Sequence, residues 1–211
     1  MNAVAMWGLL ACARPEAPAD TGPAPDTDVE VIGDTEDTDT APPDDTGLPD
    51  DRVYEALFDP AAVGRIDLEL TEEALASLRD DPDTYVRATF VHERVASLED
   101  IGVRLKGGAS TFDDIDGKPS FKLKLDAFEA LDYGGLTKLN LHNMKADAAQ
   151  AREVVAAAVW EAAGVPAPRA SYVEVYVNGV SRGLYANVEE VDGAFVARRF
   201  TDGRGDLWEA E

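Results

Sequence analysis

The chain has 211 residues, 45% of them hydrophobic, and a formal net charge of −23. That length suits one or two domains, and a chain this acidic repels nucleic acid and anionic lipid, which excludes non-specific binding to either. A single cysteine, Cys12, excludes an internal disulfide and a multi-cysteine zinc site, and two histidines, His92 and His142, exclude a histidine-rich metal centre.

The first residues read MNAVAMWGLLACARP and end an apolar run at Leu9, Leu10, Ala11 and Cys12. They resemble a bacterial lipobox, in which the cysteine is lipidated after cleavage, although no basic segment precedes the run. An arbitrary apolar N-terminus is the alternative. Residues 13–52 follow as an Asp/Thr/Pro-rich linker; seven of the twelve prolines fall here, with runs such as DTEDTDTAPPDD. Such a stretch cannot bury enough apolar surface to offset chain entropy, so the sequence predicts a disordered acidic stalk. Apart from this stalk the charge is milder: residues 1–60 carry 15 acids and 2 bases, leaving −10 for the remainder. No stretch reaches the roughly eighteen apolar residues of a membrane span.

The composition turns globular at Val53. Residues 65–70 (RIDLEL) alternate as a half-buried strand does. Thr71 suits an N-cap, with Glu72 and Glu73 in the first helical turn and Pro82 ending that helix. Residues 85–92 (YVRATFVH), 101–105, 120–125 and 137–141 (TKLNL) read as further strands. Residues 147–163 give the strongest helix, Ala-rich, with Asp147 as cap, Gly164 at C′, and Val154, Val155, Ala158, Val159 and Ala162 as one apolar stripe. Residues 171–188 form a hairpin about Asn178-Gly179, a type I′ signal. Asp192 then caps a short helix, and residues 205–208 read as the start of another strand. Short strands in succession predict an α+β domain built on a mainly antiparallel sheet with one long helix.

The chemistry concentrates in residues 103–125, VRLKGGASTFDDIDGKPSFKLKL. A basic strand enters a turn at Lys106, Gly107, Gly108, Ala109 and Ser110, where a ligand can approach backbone that lacks Cβ atoms. Lys122 and Lys124 then alternate with Phe121, Leu123 and Leu125, so both ammonium groups share one face. Strand lysines beside such a turn can hold a polyphosphate. A hairpin whose lysines merely face water is the alternative.

The order of these pieces resembles the spore coat protein H (CotH) kinase family. The segments that carry it are VRLKGGAS, KPSFKLKLD, the run from KLNLHN through NVEEVD, and GDLWEA, and with the strands before them the resemblance covers roughly residues 65–211. The resemblance implies an atypical protein-kinase-like N-terminal lobe that uses ATP and Mg2+ to phosphorylate serine or threonine on coat or envelope proteins outside the cytoplasm. It implies cofactor-binding roles for Lys106, Gly107, Gly108 and Ser110 as the phosphate-covering turn, for Lys124 or Lys122 as the strand lysine, and for Glu153 as the helix glutamate that orients it. Glu189 and Glu190 lie where two lobes would join. The family's catalytic and metal-binding aspartates belong to a half that would follow residue 211, so this length is expected to bind nucleotide and to be nearly inactive. A non-catalytic, surface-anchored binding module is the other expectation.

Overall fold

The structure is a computed structural model that describes residues 51–94, 96–108, 110–202 and 207–208. The expected lipid anchor at Cys12 and the expected stalk up to residue 50 lie outside the described residues. The elements are α1 (Asp51–Leu57), β1 (Val63–Glu69), α2 (Glu72–Asp80), β2 (Val86–His92), β3 (Ala96–Lys106), β4 (Ser120–Lys124), β5 (Lys138–His142), α3 (Arg152–Ala162), β6 (Ala170–Val177), β7 (Val180–Glu189) and α4 (Gly193–Arg199). No described helix is long and apolar enough to cross a membrane.

Alternation built these strands. In β2, β4 and β6 every second residue is buried, for example Val86, Ala88, Phe90 and His92 in β2, as a two-faced strand requires. The local signals act as the residues dictate. Thr71 Oγ1 accepts from the Ala74 N–H at the start of α2, and Asp192 accepts from Ala194 and Phe195 at the start of α4. Asn178 and Gly179 both take positive φ, the type I′ geometry that joins β6 to β7.

The expected α+β architecture does not form. The described strands close into a seven-stranded barrel in the order β1-β2-β3-β4-β5-β7-β6, and the helices around it are short. Six neighbouring pairs are antiparallel; the seventh, β1 with β6, is parallel, with Ile66 opposite Val175 and Leu68 opposite Val177. A ring with an odd number of alternating strands must contain one such seam. The seam gives β1 a partner on both sides and so leaves no open sheet edge, which a kinase-like lobe with an open sheet would have. The expected long helix is also shorter. Residues before α3 form a turn instead, closed by Asp147 N–H to Met144 O and Gln150 N–H to Asp147 O, with Gln150 at φ 51.

The barrel is filled rather than hollow. Ile66, Leu68, Phe90, Ile101, Val103, Leu105, Phe121, Leu123, Leu139, Leu141, Val175 and Tyr185 are all fully buried in one cluster. Each such side chain contributes about 1.5–3 kcal/mol of transfer free energy. Helix α1, absent from the sequence expectations, closes one end of the barrel. Its Tyr54 and Leu57, with Phe58, join the same core, and Ser171 Oγ and Asn187 Nδ2 both donate to Leu57 O.

Helix α3 lies on the outer face of β6 and β7. Val154 is buried there, and Ala157 packs against the cluster of Met144, Ala170 and Ala186. Of the expected apolar stripe only Val154 is covered; Val155 and Val159 are 55% and 57% exposed. A straight helix meets a convex barrel wall over about one turn, which leaves its outer face in solvent. The expected strand near residue 205 is not seen at Leu207 and Trp208, which are exposed and irregular, while residues 203–206 lie outside the described residues.

Candidate functional site

The outer face of the wall formed by β3, β4 and β5 carries the polar residues that alternate with the core. Leu105, Phe121, Leu123, Leu139 and Leu141 point inward, so Lys106, Ser120, Lys122, Asn140 and His142 point outward. Register then makes them neighbours, with Lys106 opposite Ser120 and Lys122 opposite Asn140. Helix α3 brings Glu153 to this face, and the residue after β7 brings Glu190.

Two hydrogen-bonded groups result. The Lys106 ammonium donates to Asn140 Oδ1 at 2.9 Å and lies 3.0 Å from His142 Nε2. His142 Nδ1 lies 2.7 Å from Glu153 Oε1. An ammonium only donates, so His142 Nε2 must accept, and the ring proton therefore sits on Nδ1 and is given to Glu153. The second group is Lys122 Nζ to Glu190 Oε1 at 2.7 Å, with Asn140 Nδ2 donating to Glu190 Oε2 at 2.6 Å. Asn140 joins the two groups. Burial pushes the Lys106 pKa down, and the Lys122 ammonium adds to this against the pull of Glu190 and Glu153. Burial alone would raise Glu190, but the bonds from Lys122 and Asn140 outweigh it and hold that carboxyl below its ordinary range.

The turn after β3 stands beside these groups. Gly107 has φ +142, and a Cβ there would lie 2.9 Å from the Phe112 Cα, so only glycine fits. Gly108 is different: a Cβ there would meet nothing within 4 Å. Thr111 closes the turn by accepting from Gly108 N–H and donating its own N–H to Gly108 O. Asn143 fixes the following loop through Thr111 O and Lys118 O. The loop aspartates serve that anchoring: Asp113 pairs with Lys145, and Asp116 pairs with Arg79. The expected outcome of two substitutions separates these roles. Gly107→Ala should lower stability by about 1–3 kcal/mol, whereas Gly108→Ala should stay within about 0.5 kcal/mol, read as urea midpoints.

A cavity of about 460 Å3 opens here, lined by Lys106, Gly107, Gly108, Thr111, His142, Glu153 and neighbours from the turn before α3. Asp147 shapes that turn by accepting from Ala149, Ala151 and Arg152 N–H groups, and these bonds hold its carboxyl below the usual range. A second cavity of similar volume lies between α3, α1 and the segment before β6, but its arginines are already engaged: Arg169 with Glu55, and Arg199 with Glu189. The first cavity differs in that its Lys106 ammonium is bonded to the side chains of Asn140 and His142 and to no carboxylate directly.

The structure brings Lys106, Gly107, Gly108, Lys122 and Glu153 into one region, and places three other sequence candidates elsewhere. Lys124 is on the same outer face but lies beyond the network, opposite Gly102 and Lys138. Ser110 is exposed and Thr111, not Ser110, lines the cavity. Glu189 faces the barrel end, where Tyr54 Oη, Arg169 N–H and Arg199 bind it. Neither His142 nor Asn140 was among the site residues expected from the sequence. Their alternation with Leu139 and Leu141 was the signal that they share a face with Lys122.

The resemblance implied a contact between Glu153 and the strand lysine, Lys124 or Lys122; instead Lys122 pairs with Glu190, and Glu153 is linked to Lys106 through His142. Among the described residues no group of three or more His, Cys, Asp or Glu side chains converges as a metal-ligand set. No curated protein matches the chain. Residues 103–211, more than half of its length, match the family model of the CotH kinase protein, beginning within β3 and including the Lys106 turn, both site glutamates and helix α3, and the chain therefore belongs to that family.

Proposed function

We propose that the β3–β4–β5 wall and its turn bind the phosphates of ATP, as the nucleotide-binding part of an atypical Ser/Thr protein kinase that acts on coat or envelope proteins outside the cytoplasm. One observation carries this reading: two ammonium groups, Lys106 and Lys122, stand on adjacent strands, and the Lys106 group faces a cavity beside an open Gly108 backbone. A phosphate chain satisfies desolvated ammonium groups better than water does, because charge-assisted bonds strengthen where water is excluded. Family membership supports ATP as the nucleotide. The ATP phosphates fit the residues present, and a magnesium ion accompanying them would be held mainly by those phosphates and water, which needs no converging set of three protein ligands. Attachment through Cys12 belongs to the same proposal.

The test is calorimetric titration of the full chain with ATP. Binding in the micromolar to millimolar range should appear, Lys106→Met should weaken it by about tenfold or more, and Lys124→Met should leave it within about twofold. Absence of binding at millimolar ATP, or a Lys106→Met protein that binds as well as the parent, would overturn the reading. A non-catalytic binding module is the second reading, favoured by the exposed Val155, Val159 and Trp160 on α3. It predicts no heat with ATP.

A further inference from the structure

The link between Lys106 and helix α3 passes through a single imidazole. His142 is held at both nitrogens, 3.0 Å from Lys106 Nζ and 2.7 Å from Glu153 Oε1. Its backbone is fixed by β5, where it pairs with Ala186 of β7. Glu153 is fixed less firmly. It rides on a helix that buries only Val154 deeply and whose N-cap residue, Ala151, offers no side-chain bond, so that Asp147 supplies the cap from outside the helix. The second carboxylate oxygen of Glu153, Oε2, is buried and finds no hydrogen-bond partner among the described residues. A buried acceptor left in this way favours any movement that brings it a donor. The ammonium linked to Glu153 through the imidazole is that of Lys106.

We infer that His142 is the positioning residue of this site: in its Nδ1–H form it keeps Lys106 turned toward the cavity and ties that lysine to α3 through Glu153, so that the anion-binding lysine reports the position of the helix. The inference rests on reading the cavity as a phosphate site. Three consequences follow from the bonding pattern. While the relay is intact, Lys106 has two fixed partners, Asn140 and His142, and keeps its third N–H for a ligand. Loss of Glu153 removes the acceptor for Nδ1–H and frees the ring to flip. Loss of His142 lets the Lys106 ammonium pair directly with the Glu153 carboxylate, which neutralises the charge otherwise offered to the ligand. Control of the site through α3 thus needs no contact with the ligand.

Two measurements on the full chain test this. Long-range 1H–15N spectra of the histidine rings, with His142 assigned by His142→Gln, should show a protonated Nδ1 and an accepting Nε2. They should also show a Lys106 ammonium signal that is protected in the parent and broadened in both Glu153→Ala and His142→Ala. The Nε2–H tautomer, or a Lys106 signal indifferent to Glu153→Ala, would overturn the inference whether or not any ligand binds. With inorganic tripolyphosphate as probe, His142→Ala should bind about tenfold more weakly. His142→Gln should recover most of that loss, since one amide can accept from Lys106 and donate to Glu153. Equal binding by the parent and His142→Ala would refute the positioning role and leave the phosphate reading standing. No binding by the parent would refute the phosphate reading alone, and the ring and lysine signals would then decide the role of His142.

Discussion

Glu189→Ala is expected to destabilise the barrel by about 3–5 kcal/mol, the cost of leaving buried charged and polar partners without their counterpart. The Glu189 side chain is 3% exposed, and it joins three parts of the fold at the barrel end. One oxygen accepts from Tyr54 of α1; the other accepts from the Arg169 N–H at 3.0 Å and from Arg199 of α4 at 3.2 Å. Burial and the adjoining carboxylate push the Tyr54 hydroxyl well above its ordinary pKa, so it remains a donor at every physiological pH. The Arg198 guanidinium stacks on the Tyr54 ring at 3.6 Å. Removing the carboxylate therefore loosens α1 and α4 together. Urea denaturation should show the lower midpoint, and ATP binding by the protein that remains folded should be unchanged. Glu190→Ala should behave in the opposite way, with weaker nucleotide binding and a small loss of stability, because its partners are Lys122 and Asn140 on the open wall. A Glu189→Ala midpoint equal to the parent's would contradict the assignment of Glu189 to the fold.

Phe121→Ala is the second large effect, about 3–5 kcal/mol, from lost transfer free energy and the cavity left behind. Phe121 is fully buried in β4 and packs on Tyr185 of β7 at a centroid distance of 6.1 Å. It sits between Ser120 and Lys122, whose side chains face outward on the same strand. The loss should appear as a lower thermal midpoint by several degrees. Because β4 also carries Lys122, hydrogen exchange should rise along β4 and β5 more than along β1 and β2. A uniform rise across all strands would mean that β4 unfolds only with the whole barrel.

Most of the strands could be read from the sequence because alternation is a local property. RIDLEL, YVRATFVH, SFKLK and KLNLH each declare a buried face within a few residues, and Asn178-Gly179 declares its turn. What could not be read was the pairing of β1 with β6, which joins residues more than a hundred positions apart and leaves no local mark. Helix α1 was missed because Tyr54, Leu57 and Phe58 are spaced for a helix but lie directly after the Asp-rich stretch. The α3 stripe was read too broadly, since helical spacing shows which residues share a face and not how much of it a curved wall covers.

The site was legible in part for the same reason. Lysines beside paired glycines mark the turn, and the alternation of β4 places Lys122 outward. Glu189 and Glu190 show where reading stops. Adjacent residues at a strand end point to opposite sides, and a shift of one residue exchanges a residue that holds the barrel closed for one that pairs with Lys122. The bridge through His142 depends on β5 register and on α3 docking at once, and neither is set by neighbouring residues.

The measurement that tests the central claim most directly is a backbone 1H–15N titration of the full chain with ATP. The account predicts shifts confined to Lys106, Gly107, Gly108, Thr111, Lys122, Asn140, His142, Glu153 and Glu190, with the far cavity at Glu161, Val165 and Arg169 unmoved. Shifts centred on that far cavity, or none at millimolar ATP, would contradict it.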